Sequence, residues 1–214
     1  MINVIYEDNH LLVVEKPINI PVQADSSNDI DLLSMLKEYI KERYKKPGNV
    51  YLGLVHRLDR PVGGVMVFAK TSKCASRLSK QIKDGDFKKI YYAVVEGNIF
   101  EKGLLKDKLL KNSKTNTVSV DKNGKDAELY FEKISYKDNL SLVRINLYTG
   151  RSHQIRVQFS SRGYPLYGDH RYNSNCKDKS QIALFAKELF FYHPITNNNL
   201  VLPCGIYGRY QSND

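Results

Sequence analysis

Short apolar runs, each closed by turn-forming residues, dominate the chain. Residues 4–6 and 11–15 are rich in β-formers and flank Asp8-Asn9, so they predict a hairpin. Pro17 and Pro21 end that pattern and open a loop to about Asp29. From Asp31, an N-cap candidate, Leu33, Leu36, Ile40 and Tyr44 recur at helical spacing, and the helix they predict stops before Pro47-Gly48. Its outward face carries Lys37, Lys41, Arg43 and Lys45. Residues 51–61 read as extended or looped, and 65–69 as a short buried strand. Ser72 is expected to cap a second helix with Ala75, Leu78 and Ile82 on one face, closed by Gly85. Residues 90–95 form another strand.

Further along, 129–134 and 140–147 alternate apolar and polar positions around Asp138-Asn139, a second hairpin. Residues 152–162 predict a short helix with Ser152 as its N-cap, stopped by Gly163 and Pro165. Two last β-type runs, 189–192 and 200–202, are joined through His193-Pro194. Strands come in hairpins rather than in strict βαβ alternation, and there is no internal repeat or linker. The class expected is α+β, a mainly antiparallel mixed sheet flanked by helices and loops, in a single domain over residues 1–214.

Composition narrows the picture. The chain has 214 residues, 42% hydrophobic and 26% charged, as in ordinary soluble globular proteins. Its apolar runs are strand-sized, too short to span a bilayer, and the N-terminus has acidic residues and no small-residue cleavage site. A cytoplasmic location is expected. Cys74, Cys176 and Cys204 form no CxxC pair and read as three reduced thiols, with neither a disulfide framework nor a zinc site. The formal charge of +10 favours polyanionic partners, nucleic acid or an anionic membrane surface. Residues 101–125 carry seven lysines against three acidic residues, so they either form a mobile surface hairpin or touch RNA phosphate.

Two segments are polar where a core pattern would be apolar: His56-Arg57-Leu58-Asp59-Arg60-Pro61-Val62-Gly63-Gly64, and Gly150-Arg151-Ser152-His153-Gln154-Ile155-Arg156. Each sets hydrogen-bonding side chains beside glycines, which suits close approach of backbone to a ligand. If 56–59 is extended, Arg57 and Asp59 project to one face and Leu58 to the other. A carboxylate close to a guanidinium keeps its charge at neutral pH and can then act as nucleophile or base. On spacing alone, Asp59 equally fits a salt-bridged turn anchor. Arg156 falls in the first turns of the short helix; its guanidinium stays charged and grips carboxylates through two parallel bonds, so it is a natural partner for Asp59, or an ordinary surface arginine.

These two segments, HRLDRPVGG and GRSHQIRVQFSSRGYPLYGD, resemble the catalytic signature of the RluA-type family of RNA pseudouridine synthases. The resemblance extends over nearly the whole chain, through YEDNHLLVVEKP, KKIYYAVVEG and the closing LFAKELFFYHPIT. It implies the pseudouridine synthase catalytic fold and isomerisation of specific uridines in structured ribosomal or transfer RNA. Asp59 is then the essential aspartate, Arg156 its ion-pair partner, and Tyr91 the tyrosine that stacks on the base, while Tyr92 faces the core. Arg57 matches the arginine associated with the flipped-out base. His56, Arg151, His153, Gln154 and Ile155 fall inside the motifs as substrate-binding positions, the histidines structural or RNA-orienting rather than metal-binding. The resemblance also implies a monomer made of the catalytic domain alone, without the small S4 RNA-binding domain that many relatives carry ahead of it. Target choice would then rest on residues 101–125 and the helix lysines.

The reaction breaks the C1′–N1 bond, turns the uracil and rejoins it through C5, with no net oxidation, hydrolysis or group transfer. It therefore calls for no cofactor and no metal, and no Walker A, GxGxxG or HExxH sequence occurs. Bringing the base out of its stack costs a few kcal/mol, which phosphate contacts and an aromatic under the base would offset. The sequence departs from the family after HRLDR, where a residue followed by Thr-Ser-Gly is usual and Pro61-Val62-Gly63-Gly64 stands here. Two hydroxyls are lost beside the aspartate, and any hydrogen bonds they made are absent or replaced. Two rival readings are a basic RNA-binding protein without catalysis, and a hydrolase. Asp59, Tyr91 and Arg156 speak against the first; the second lacks another carboxylate or base at a convincing spacing.

Overall fold

Asp8 folds the first hairpin. Its Oδ1 accepts hydrogen bonds from the backbone amides of His10 and Leu11, both at 2.7 Å, which turns β1 (Asn3–Glu7) back onto β2 (Leu11–Lys16). The chain continues through α1 (Leu32–Arg43), β3 (Gly53–Leu54), β4 (Gly63–Ala69), α2 (Ser72–Asp84), β5 (Lys88–Glu96), β6 (Lys102–Asn112) and β7 (Thr117–Val120). It then forms β8 (Lys125–Lys137), β9 (Leu140–Leu147), α3 (Gln154–Ser160), β10 (Leu184–Tyr192) and β11 (Asn199–Pro203). The structure is a computed structural model and describes residues 2–25, 27–174, 176 and 181–205. It contains two compact units, Met1–Lys88 with Ala186–Asp214, and Lys89–Phe185.

In the first unit the strand order is β1-β2-β4-β10-β11, with β3 also pairing β4. All seven residues of β4 are buried, as its unbroken apolar run implies. Here β4 runs antiparallel to β2, with Lys16 opposite Gly64. Gly64 has φ +125, and a Cβ there would lie 2.2 Å from the carbonyl oxygen of Ala186 in β10, so only glycine lets these two backbones approach. Helix α1 is capped by Asp31, which accepts from the Ser34 amide at 3.0 Å. For α2 the cap lies one residue before the expected Ser72: Thr71 Oγ1 accepts from the Cys74 amide at 3.2 Å, leaving Ser72 as the first helical residue. Gly85 closes α2 in the left-handed region, as expected.

In the second unit the order is β5-β9-β8-β6-β7, all antiparallel. Strand β9 alternates half-buried and buried positions along its whole length, as the period-two pattern requires. The β8–β9 turn is made by Asp138 and Asn139, both at positive φ (51 and 58), the geometry of a two-residue hairpin loop. Residues 101–125 are more integral than expected. Strand β6 pairs with β8 from Lys102 to Leu109 and with β7 beyond it, because Leu109 and Val118 pack with Ala127 and Val157 in a buried cluster. Five of their lysines, Lys102, Lys106, Lys108, Lys111 and Lys125, lie on exposed positions of these strands, while Lys114 and Lys122 sit in the connecting turns.

The fold is thus α+β, with mainly antiparallel strand pairing and three helices among the described residues. No helix among them is long and apolar enough to cross a membrane.

Candidate active site

Asp59 occupies a turn anchored from beneath by Lys16. The Asp59 carbonyl accepts from the Val62 amide at 2.9 Å, closing a four-residue turn just ahead of β4. Lys16, the last residue of β2, is 1% exposed, and its Nζ donates to the carbonyls of Pro17 (2.9 Å), Arg60 (3.0 Å) and Val62 (2.8 Å). Three acceptors match the three protons of an ammonium group. Burial pushes the Lys16 amine down to about 8, while the Asp59 charge pulls it up and Arg60 pushes it further down. Sequence reasoning missed Lys16, which stands in the EKP turn with nothing to mark it as buried.

The flanking residues divide between solvent and core. Leu58 is buried and Arg57 exposed, the alternation expected of an extended segment. Arg60 bonds to Ser27 Oγ at 3.0 Å and pairs with the Asp29 carboxylate, tying the turn to the loop before α1. His56 Nε2 accepts from the Val67 amide of β4 at 3.1 Å, and its ring lies 5.5 Å from that of Phe87, which stacks on Phe191. Val62, standing where Thr is usual, is buried, and its backbone is satisfied without a hydroxyl: the amide bonds to Asp59 and the carbonyl to Lys16.

The second unit carries Tyr91 and the second motif. Tyr91 is 6% exposed, on the buried face of β5 with Lys89, Ala93 and Val95. Tyr92, expected to face the core, lies on the opposite, half-exposed face, because strand alternation sends neighbours to opposite sides. Helix α3 begins at Gln154 rather than after a Ser152 cap: His153, at φ 51 in the left-handed region, is the N-cap, and no side chain caps the helix from that position. Gln154 instead ties the loop before α3 to the helix. It is buried, its Oε1 accepts from Thr149 Oγ1 (2.7 Å) and the Arg151 amide (3.0 Å), and its Nε2 donates to the Glu128 carbonyl and Gln158. Ile155 is buried beside it.

Arg156 is held by a carboxylate the sequence reading passed over. Its Nε and Nη2 donate to the two oxygens of Asp169 at 2.8 and 2.7 Å, with side-chain exposures of 7% and 0%. Asp169 Oδ1 also accepts from the Arg171 and Tyr172 amides. The Tyr172 ring lies 5.0 Å from the guanidinium, and its hydroxyl meets His153 Nδ1 at 2.6 Å and accepts from the Val118 amide at 2.9 Å. Asp169, Arg156, Tyr172 and His153 therefore form one chain of contacts. The only sequence signal for Asp169 was its place at the end of the second motif. Among the described residues no three His, Cys, Asp or Glu side chains gather as a metal site.

A family model described as RNA pseudouridylate synthase matches residues 10–161, which contain the Asp59 turn, Tyr91 and Arg156. The chain belongs to that family, a family of isomerases. It is 35% identical over 220 residues to ribosomal large subunit pseudouridine synthase C of Buchnera aphidicola subsp. Schizaphis graminum, covering 96% of this chain and 68% of the relative. It is 32% identical to ribosomal large subunit pseudouridine synthase D of Zymomonas mobilis, covering 93% of this chain and 67% of that one. The chain thus spans about two thirds of the length of these curated relatives. The fold is that of human RNA pseudouridylate synthase domain containing 4, with a TM-score of 0.80 at 22% identity over 95% of this chain and 88% of that one.

Proposed function

We propose that this chain isomerises uridine to pseudouridine in ribosomal RNA, with Asp59 as the catalytic carboxylate and without cofactor or metal. The observation that carries the reading is the Asp59 turn itself, a carboxylate displayed by a tight turn whose carbonyls are fixed by a buried ammonium. Such fixing suits a group that must meet one atom of a flipped nucleotide in one geometry. The relatives' names, which specify the large ribosomal subunit, favour ribosomal over transfer RNA as the substrate class.

In this reading Asp59, Tyr91 and Arg156 are the catalytic residues of one domain over residues 1–214. Asp59 attacks or deprotonates the flipped nucleotide, Tyr91 lies under the base, and Arg156 serves as the partner of Asp59, itself oriented by Asp169. Arg57, Arg151 and His153 meet the RNA, while His56, Gln154 and Ile155 shape their positions from beneath. The chain acts as a cytoplasmic monomer, and the charge of +10 draws the polyanionic substrate.

The test is release of tritium from RNA labelled at uridine C5, with the purified chain in a chelator and without nucleotide. Wild type should release label from ribosomal RNA and Asp59→Asn should release none. If wild type releases nothing from any cellular RNA pool, the proposal fails.

A further inference from the structure

Lys89 is a buried cation that the proposed chemistry does not use. It precedes Tyr91 by two positions on the same face of β5, so about 6.6 Å of strand separates them. The residue is 8% exposed, and among the described residues its amine makes no hydrogen bond and no ion pair. Burial alone pushes it below the ordinary lysine value, with no carboxylate to draw it back. Burying a charge in this way is costly unless something pairs with it.

The amine is aimed at the turn before α3. A Cβ placed on Gly150 would stand 3.2 Å from Lys89 Nζ, so the ammonium lies against the backbone of Gly150 and only a glycine leaves it ordinary room. The next residue, Arg151, is exposed; its Nε donates to the Asp126 carbonyl at 2.8 Å, and it too makes no ion pair among the described residues. Nearby acids are engaged elsewhere: Glu128 with Lys106 at 3.2 Å, Asp126 with Lys108 at 3.6 Å, Asp107 with Arg162 at 2.9 Å. A mostly buried lysine and an exposed arginine therefore flank one glycine turn, and among the described residues neither has a counter-ion.

We propose that Lys89 and Arg151, across the Gly150 turn, bind one backbone phosphate of the RNA next to the uridine that meets Tyr91. This rests on the RNA-modifying reading above and adds to it a phosphate subsite. The phosphate supplies the charge that Lys89 lacks, and the two-residue offset from Tyr91 sets the subsite about one nucleotide's reach from the base.

The test measures binding of the full chain to an unmodified large-subunit ribosomal RNA transcript across a range of salt. Loss of one phosphate contact lowers the slope of log affinity against log salt by about one. Lys89→Met should show that loss, with KM raised several-fold and kcat little changed. Lys89→Arg should keep the wild-type slope. Adding Arg151→Gln to Lys89→Met should lower the slope no further, since both residues hold the same phosphate. An unchanged slope in folded Lys89→Met overturns the proposal. If Lys89→Met does not fold, the exposed Arg151→Gln carries the test, and an unchanged slope there overturns it equally. A wild-type chain that shows the Lys89-dependent slope but forms no pseudouridine sinks the catalytic reading and leaves the subsite standing.

Discussion

Lys16 Nζ bonds to the carbonyl of Val62 at 2.8 Å, three residues beyond Asp59. With the Arg60 and Pro17 carbonyls on the same ammonium, one side chain ties two carbonyls of the Asp59–Val62 turn to the end of β2. Val62 carries no hydroxyl where the family usually has Thr, so the turn draws its order from the lysine beneath it and from its own closing hydrogen bond.

Replacing Lys16 should therefore loosen the turn as well as the core. Lys16→Met leaves three carbonyls short of a donor. Hydrogen bonds to charged groups contribute about 1.5–3 kcal/mol each, and with the desolvation of the ammonium no longer opposing folding the net loss should be at least about 3 kcal/mol. Chemical denaturation of the full chain checks the stability. Tritium release checks the turn: kcat should fall more than KM rises, because Asp59 is misplaced rather than the RNA unbound. Wild-type kcat in Lys16→Met would show that the turn holds itself.

The same lysine gives a pH dependence. Its folded value, about 8, lies below the unfolded value of about 10.4. Between those values the unfolded chain binds more protons, so the Lys16 contribution to stability rises with pH through that window and is flat below it. Above pH 8 the amine also has fewer protons than carbonyls to serve, so activity should decline there while the Lys16 contribution to stability does not. Denaturation and tritium release, measured at matched pH for wild type and Lys16→Met, should show a steeper rise of stability with pH in wild type. The remaining rise in Lys16→Met comes from groups such as Lys89, whose value burial also lowers.

Asp169 sets the orientation of Arg156. Asp169→Ala takes the two-pronged Asp169 carboxylate from a buried guanidinium and should cost up to about 3–5 kcal/mol. Arg156→Lys keeps the charge but loses the two-pronged grip on Asp169. Thermal unfolding should show a smaller loss for Arg156→Lys than for Asp169→Ala, with tritium release strongly reduced in both. Full activity in Arg156→Lys would mean that the guanidinium's fixed geometry is irrelevant.

What the chain disclosed by reading, and what it withheld, follow one physical division. Hairpins were legible because their turn residues are local: Asp8-Asn9 and Asp138-Asn139 lie beside the strands they join. The two motifs were legible because polar residues beside glycines break an apolar pattern. Lys16 was not, because its acceptors on Arg60 and Val62 lie 44 and 46 residues away, and no local pattern marks a lysine as buried. Asp169 and Lys89 were hidden likewise, since pairing, or the lack of it, belongs to tertiary structure. The α2 and α3 caps were misread because neighbouring residues take the position: Thr71 caps α2 in place of Ser72, and the α3 N-cap falls one residue later, at His153, without a side-chain cap.

Gly64 bears the close approach of β4 to β10. Gly64→Ala puts a Cβ 2.2 Å from the Ala186 carbonyl oxygen and 2.6 Å from its nitrogen, both backbone atoms that cannot rotate aside. The left-handed φ adds about 1–3 kcal/mol of strain, and overpacking adds about as much again. The variant should lose at least about 3 kcal/mol by these two terms, read as a shift in denaturation midpoint. Gly85→Ala, in open space at φ +85, should cost less because strain alone acts there. Equal losses would place the penalty in φ and not in the contact.

Tyr172 joins the helix start to the hairpin of β6 and β7. Its hydroxyl touches His153 Nδ1 at 2.6 Å and accepts from the Val118 amide, while its ring lies against Arg156. Tyr172→Phe keeps the ring and removes the hydroxyl, so Arg156 should stay stacked while His153 loses its anchor. The cost in stability should be about 1–2 kcal/mol, the usual range for a hydrogen-bonded hydroxyl whose partner is left half-buried. Burial raises the Tyr172 hydroxyl above its ordinary value, so it stays protonated and able to hold His153 across the working range. If His153 binds RNA as proposed, activity should fall through KM. A fall confined to kcat would instead place Tyr172 with Arg156 in orienting the catalytic carboxylate.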